Sequence, residues 1–365
     1  MEKHIHGGDV YHHVGCVDFS ANCNPLGTPE NIKKAIIESL EHINEYPLVG
    51  CAPLKEAIAE YEEVKPEQVV CGNGAAEVIF SLCRALSPKK ALVPAPTFAE
   101  YQQALYSVGC QVDFFMLEEE KDFLLDEGFI DVLTEDTDVI FLCNPNNPTG
   151  LLVERTVLEK ILDRCDNLGI FMVVDECFLD FVPEPERYTL KDRLDRCENL
   201  FLLKAFTKRY AMAGVRLGYG LCGNSGLLEK MENVCQPWNV SSMAQAAGMA
   251  ALKEKEYVKA GRKVTFEELA YLKKELEALG YPVFPSQANY VFFRGPSDLY
   301  EQLEKKKILI RDCSNYTGLS KGYFRVAVKS HLENQLLIRA LKELEQENKD
   351  AMAGLKPDIC PVGSK

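Results

Sequence analysis

The chain has 365 residues, 47% of them hydrophobic and 26% charged, with a formal net charge of −14. This is ordinary globular composition, long enough for a large core divided between two domains. No apolar run is long enough to span a bilayer, and Met1–Gly8 lacks the apolar centre of a signal peptide. An acid-rich chain with no basic block also repels phosphodiester backbones, so neither a membrane nor a nucleic acid is an expected partner.

In chain order, residues 1–30 read as an N-terminal arm. Its histidines, His4, His6, His12 and His13, show no helical or strand spacing suited to a metal, and no metal site is expected. From about Val69 to Cys222 the pattern alternates. Val69–Cys71, Lys90–Val93, Val139–Cys143, Phe171–Val174 and Leu200–Leu203 are near-continuous apolar runs, as expected of strands covered on both faces. Gly72-Asn-Gly-Ala-Ala-Glu77 opens a predicted helix over Ala75–Leu86. Thr156–Leu168 is a predicted covering helix, with Leu158, Ile161, Leu162 and Cys165 on one stripe. Strand–helix alternation predicts an α/β architecture with a mainly parallel sheet. After Asn239 the pattern changes to a long helix over Met243–Leu279, strands at Asn289–Phe293, Ile308–Arg311 and Phe324–Val328, and a last helix over Leu332–Glu347. The expected organisation is a large domain over 46–245, a smaller α+β domain from 31–45 and 246–348, and a loose tail at 349–365. The fourteen cysteines include no Cys-x-x-Cys. Several lie in apolar runs as small hydrophobes, which suits a reducing, cytoplasmic setting.

Four residues in these segments form a complete chemical set. They are Asn147 in Asn144-Pro-Asn-Asn-Pro-Thr-Gly150, Asp175 in Val173-Val-Asp-Glu-Cys-Phe178, Lys208 in Phe206-Thr-Lys208, and Arg216 in Gly214-Val-Arg216. Singly, each has a plain structural reading: a turn residue, a cap, a surface lysine, an ion-pair partner. Together they supply what pyridoxal 5'-phosphate needs. Lys208 bonds the cofactor aldehyde, Asp175 pairs with the pyridine nitrogen, Asn147 donates to the ring oxygen, and Arg216 holds the phosphate.

The order and spacing of this tetrad resemble the class I/II aminotransferase family, fold type I. The resemblance assigns phosphate binding to Gly74, Ala75 and Ala76 at a helix N-terminus, ring stacking to Phe98, and further phosphate contact to Thr207. It gives Tyr46 a role in the neighbouring subunit's site, which implies a homodimer with shared active sites. Phe178 departs from the tyrosine usual in the family, leaving Asn147 as the main donor to the ring oxygen. Alanines, Ala205 among them, also stand where many relatives carry hydroxyls. His6-Gly-Gly-Asp-Val-Tyr11, Asp18–Gly27, Asp175–Phe181, Gln236–Val240 and Ile310–Leu319 narrow the resemblance to the threonine-phosphate decarboxylases of cobalamin biosynthesis. That group implies substrate contacts at His6, Gly7, Asn22, Asn147, Arg311 and Arg325. The implied reaction is decarboxylation of the small phosphorylated amino acid O-phospho-L-threonine to (R)-1-amino-2-propanol phosphate. The alternatives left open are transamination of histidinol phosphate or a related amino acid, and, more remotely, a non-catalytic binding or regulatory module.

Overall fold

The computed structural model describes residues 6–354, with side chains described through 350. Among the described residues twelve strands, numbered in chain order, form three sheets. The largest is built from β2 (Val69–Gly72), β3 (Lys90–Ala95), β4 (Gln111–Met116), β5 (Val139–Cys143), β6 (Phe171–Asp175), β7 (Leu200–Ala205) and β8 (Gly218–Cys222). Their spatial order is 2-8-7-6-5-3-4. All neighbours are parallel except the two pairs that involve β8. Strand β5 is buried along its whole length. Its alternate residues enter two separate cores: Ile140 and Leu142 on one face, Val139 and Phe141 on the other. This two-sided burial explains the unbroken apolar runs of the parallel strands. Parallel strands also need crossovers, and the helices Gly74–Leu86 and Arg155–Leu168 supply two of them.

Two strands carry weaker sequence signals. Strand β4 stands at the sheet edge, only partly buried. Strand β8 is rich in glycine because its neighbours come close. A β-carbon on Gly218 would fall 2.8 Å from the carbonyl carbon of Gly74, and one on Gly220 would enter the Phe201 ring. The β8 strand thereby lies directly against the turn that opens the Gly74–Leu86 helix.

The second sheet is antiparallel, in the order β11 (Arg311–Asp312), β12 (Tyr323–Ala327), β9 (Tyr290–Arg294). The third pairs β1 (Val17–Asp18) in parallel with β10 (Ile308–Leu309). The N-terminal segment is thus laced into the second half of the chain, and the Ala327 N–H also donates to the Phe19 carbonyl at 2.8 Å. The single strand expected over Ile308–Arg311 divides at the buried Ile310, where the chain passes from one sheet to another.

Two further differences from the sequence reading are physical. The helix expected over Met243–Leu279 is two helices, Ser242–Ala251 and Lys255–Ala278. The first packs on the helix Glu30–Ser39 and the second on His331–Gly354, so the chain must turn between them. Ile32, within Glu30–Ser39, joins a core that holds both Ile140 and Leu142 of β5 and Phe284 and Phe292 of the later segment. The last helix continues to Gly354, past the expected start of a tail at 349, while 355–365 lie outside the described residues. No helix among the described residues is long and apolar enough to cross a membrane.

Candidate active site

At the carboxyl ends of β5, β6 and β7 lies a cavity of about 430 Å³. Open α/β sheets generally bind ligands at this edge. The loop after β5 brings Asn147, the end of β6 brings Asp175, and the short helix after β7 brings Thr207 and Lys208. Arg216, in the turn before β8, completes the tetrad, and all four of its members line the one cavity. Ala75, Ala76, Phe98, His6, Gly7, Asn22, Arg311 and Arg325 line it too.

Gly74 does not line the cavity but shapes it. Its φ is +80°, and a β-carbon there would strike the Arg216 guanidinium, whose central carbon would stand 2.8 Å away. Arg216 itself holds a left-handed backbone, φ 58°, a conformation uncommon outside glycine. The arginine is thereby laid across the N-terminus of the Gly74–Leu86 helix, where backbone N–H groups and the helix dipole also favour an anion. Tyr46 lies outside its own chain's cavity. It is 79% exposed and stacks on Trp238 with ring centroids 4.4 Å apart.

Asp175 is buried at 5% exposure. Its oxygens accept from the Tyr101 hydroxyl at 2.6 Å and the Cys177 N–H at 2.9 Å. Burial is the largest influence on its carboxyl and pushes it above the usual carboxylate range, while these two donors pull it back. Among the described residues no cationic side chain pairs with it. A protonated pyridine nitrogen placed here would act in the same direction as the donors.

The side lined by Arg311 and Arg325 is equally specific. Arg311 and Arg325 are direct cross-strand partners on β11 and β12, at 5% and 6% exposure. Among the described residues neither has a carboxylate within ion-pair distance. Arg311 donates to the Asp312 carbonyl and the Asn315 side chain, both at 2.7 Å. Arg325 donates to the Ser20 carbonyl at 2.9 Å and to Asn147 Oδ1. The Asn22 amide, turned to present its oxygen, accepts from Arg325 Nε at 3.3 Å. Two adjacent like charges with only neutral partners are unfavourable unless an anion joins them.

The arm closes this side. A β-carbon on Gly7 would sit 2.6 Å from the Ser20 carbonyl oxygen, so only glycine lies flat here. The Gly8 N–H donates to Ser20 Oγ at 2.7 Å. His6 then reaches Glu100 at 3.1 Å, and that hydrogen bond raises the imidazole pKa above its ordinary value. His12 pairs with Asp9 and His13 with Glu304, so these three histidines diverge; His4 lies outside the described residues.

The cavity also contains Glu100, Cys143, Cys177 and Tyr316, which sequence reasoning did not assign. Tyr316 lay inside a stretch already singled out, Ile310–Leu319, and Glu100 stands two residues after Phe98. Nothing in their type or spacing marked them as facing the site.

The residues therefore fit pyridoxal phosphate. A buried carboxylate suits the ring nitrogen, a helix N-terminus with Arg216 suits the phosphate, and Lys208 lines the same cavity. Lys208→Ala is expected to yield a folded protein that no longer holds the cofactor's visible absorbance through gel filtration. Retention of that absorbance would remove Lys208 from the covalent role.

Comparison with known proteins agrees with this geometry. The profile of the family described as aminotransferase class I and II matches residues 14–344. Threonine-phosphate decarboxylase of Salmonella typhimurium is 38% identical over 334 residues, covering 90% of this chain and 91% of that protein. The crystal structure of histidinol-phosphate aminotransferase from Clostridium acetobutylicum superposes with a TM-score of 0.84 at 31% identity, covering 90% and 99% of the two chains. That of L-threonine-O-3-phosphate decarboxylase from Porphyromonas gingivalis gives 0.79 at 25% identity, with the same coverage. With its fold type I architecture and a cavity fitted to pyridoxal phosphate, the chain belongs to the class I and II aminotransferase family of pyridoxal phosphate-dependent enzymes.

Proposed function

We propose that the enzyme decarboxylates O-phospho-L-threonine, releasing carbon dioxide and (R)-1-amino-2-propanol phosphate. The observation that carries this reading is the buried cross-strand pair Arg311 and Arg325 in the cavity that contains Lys208. Two guanidinium groups without carboxylate partners suit a substrate with two anionic groups, and phosphothreonine offers a carboxylate and a phosphate. The resemblance to threonine-phosphate decarboxylases points the same way, and the same resemblance suggests a place in the synthesis of the cobalamin side chain.

In this reading the site residues divide the work. Lys208, Asp175, Asn147, Arg216, Thr207, Phe98 and the Gly74–Ala76 turn hold pyridoxal phosphate. When bound, the cofactor supplies an electron sink for the pair left on the α-carbon as carbon dioxide departs. Arg311, Arg325, Asn22, His6 and Gly7 hold the substrate anions. Fixing both ends of a small molecule would fix which bond at the α-carbon is presented for cleavage, and that orientation would select decarboxylation over loss of the α-hydrogen. The raised pKa of His6 keeps its imidazole positive to higher pH, in favour of an anionic phosphate. Lys208 then returns a proton to the α-carbon.

The deciding experiment incubates the cofactor-loaded enzyme with O-phosphothreonine and follows carbon dioxide release and 2-oxoglutarate-dependent turnover side by side. Carbon dioxide without a need for 2-oxoglutarate is expected. Turnover only with the oxo acid would favour transamination, the activity named for the Clostridium neighbour. Arg325→Lys keeps the charge but loses the planar fork. It is expected to weaken phosphothreonine binding at least about tenfold, the scale of one hydrogen bond to a charged group, and unchanged kinetics would place Arg325 outside the site.

We also propose a homodimer in which Tyr46 reaches the partner's cavity. Tyr46, Leu48, Val49 and Trp238 are large exposed apolar side chains near one another in the chain's fold, and such exposure suits an interface. Sedimentation velocity is expected to give twice the chain mass. A monomer retaining full activity would exclude shared sites.

A further inference from the structure

Three tyrosine hydroxyls lie around the cavity, each committed to a different partner. Tyr101 donates to Asp175 at 2.6 Å, and Tyr290 to the Asn146 carbonyl at 2.7 Å. Tyr316 donates to Asn147 Oδ1 at 3.2 Å. The same Asn147 oxygen accepts from Arg325. Phe178, by contrast, brings no hydroxyl and packs edge-on against Tyr290, with centroids 5.1 Å apart.

We propose that Tyr316 is a positioning residue for the cofactor's ring-oxygen contact: with Arg325 it fixes the Asn147 amide oxygen, leaving the amide N–H groups as donors to the cavity. This rests on the reading of Asn147 as the ring-oxygen donor. An asparagine amide can turn over at little intrinsic cost, exchanging two donors for two lone pairs. Here a turned amide would set its NH₂ group against the Arg325 guanidinium, donor against donor, in a site where Asn147 is buried. Unmatched buried donors are costly, so Arg325 selects the orientation and the Tyr316 hydroxyl adds a second bond that holds the selected oxygen in place. Tyr316 is itself held. Its N–H donates to the Cys313 carbonyl at 3.1 Å, and the Arg311 guanidinium lies 5.2 Å from its ring centroid. Burial raises its hydroxyl pKa, which keeps it a neutral donor.

Tyr316 also differs from Arg325 in what a substrate does to it. A substrate anion draws on the guanidinium of Arg325, whereas the Tyr316 hydroxyl keeps its bond to Asn147. The tyrosine hydroxyl absent at position 178 is thereby replaced in effect by one that works through the asparagine.

The test is the pH titration of the bound cofactor's visible absorbance. A donor on the ring oxygen stabilises its ionised form and weakens its pull on a neighbouring proton. Loosening Asn147 therefore moves the midpoint to higher pH, by about half a unit in Tyr316→Phe if one hydrogen bond is partly lost. The phenylalanine keeps the ring and the Arg311 contact, and thermal melting checks that the fold is retained. In an Asn147→Ala background the same substitution is expected to add no shift. An unmoved midpoint in Tyr316→Phe, with a moved one in Asn147→Ala, overturns the role of Tyr316 alone. A full additional shift in the double variant shows that Tyr316 does not act through Asn147. An unmoved midpoint in Asn147→Ala overturns both this proposal and the ring-oxygen reading beneath it.

Discussion

Two guanidinium groups set opposite each other on adjacent strands, nearly out of water, are the constraint from which the rest of the site follows. Arg311 and Arg325 repel, and burial removes the screening that would soften the repulsion. Neutral acceptors do part of the work: the Asp312 and Ser20 carbonyls and the side chains of Asn315, Asn22 and Asn147. None of these carries a charge. In the proposed reading, the arrangement is one half of an ion pair whose other half arrives with the substrate. Its stability cost is carried by the surrounding fold, in which β12 is buried along its length and flanked on both sides.

The two ends of the cavity are built differently, and the difference matches what each must do. The cofactor end is anchored on the parallel sheet. Its residues stand at successive strand ends, and strand pairing fixes their spacing: Cys143 is the register partner of Asp175, and Asp175 of Leu203. The substrate end is assembled from the small antiparallel sheet and the N-terminal arm, which come from opposite ends of the chain. The β1–β10 pairing and the bond from Ala327 to Phe19 lace them together. In the proposed reading, a change in the arm acts on substrate contacts while leaving the cofactor wall intact.

The sequence made the cofactor end legible for a physical reason. Strands buried on both faces must be continuously apolar, so Val139–Cys143 and Phe171–Val174 stood out. The polar residues that follow them then read as strand-end chemistry. Strand β8 was hidden because close approach demanded glycines at 218 and 220, which erased the β-branched signal. Strand β4 was hidden by its exposed edge position. Resemblance marked Arg311 and Arg325 as substrate contacts, but their face-to-face register is a property of strand pairing that no single-chain pattern displays. Tyr316 was invisible for the same reason: a tyrosine near an arginine in sequence says nothing about an asparagine 169 positions away. Tyr46 remains an expectation whose partner would be a second chain.

The measurement that bears most directly on the buried arginine pair compares three ligands on the cofactor-loaded enzyme, followed by the change in its absorbance. O-phospho-L-threonine carries both anionic groups, L-threonine lacks the phosphate, and O-phosphoethanolamine lacks the carboxylate. If the two guanidinium groups are completed by two anions, each single-anion ligand binds at least about tenfold more weakly than phosphothreonine, the scale of one charged hydrogen bond. Binding of L-threonine as tight as that of phosphothreonine would contradict this account.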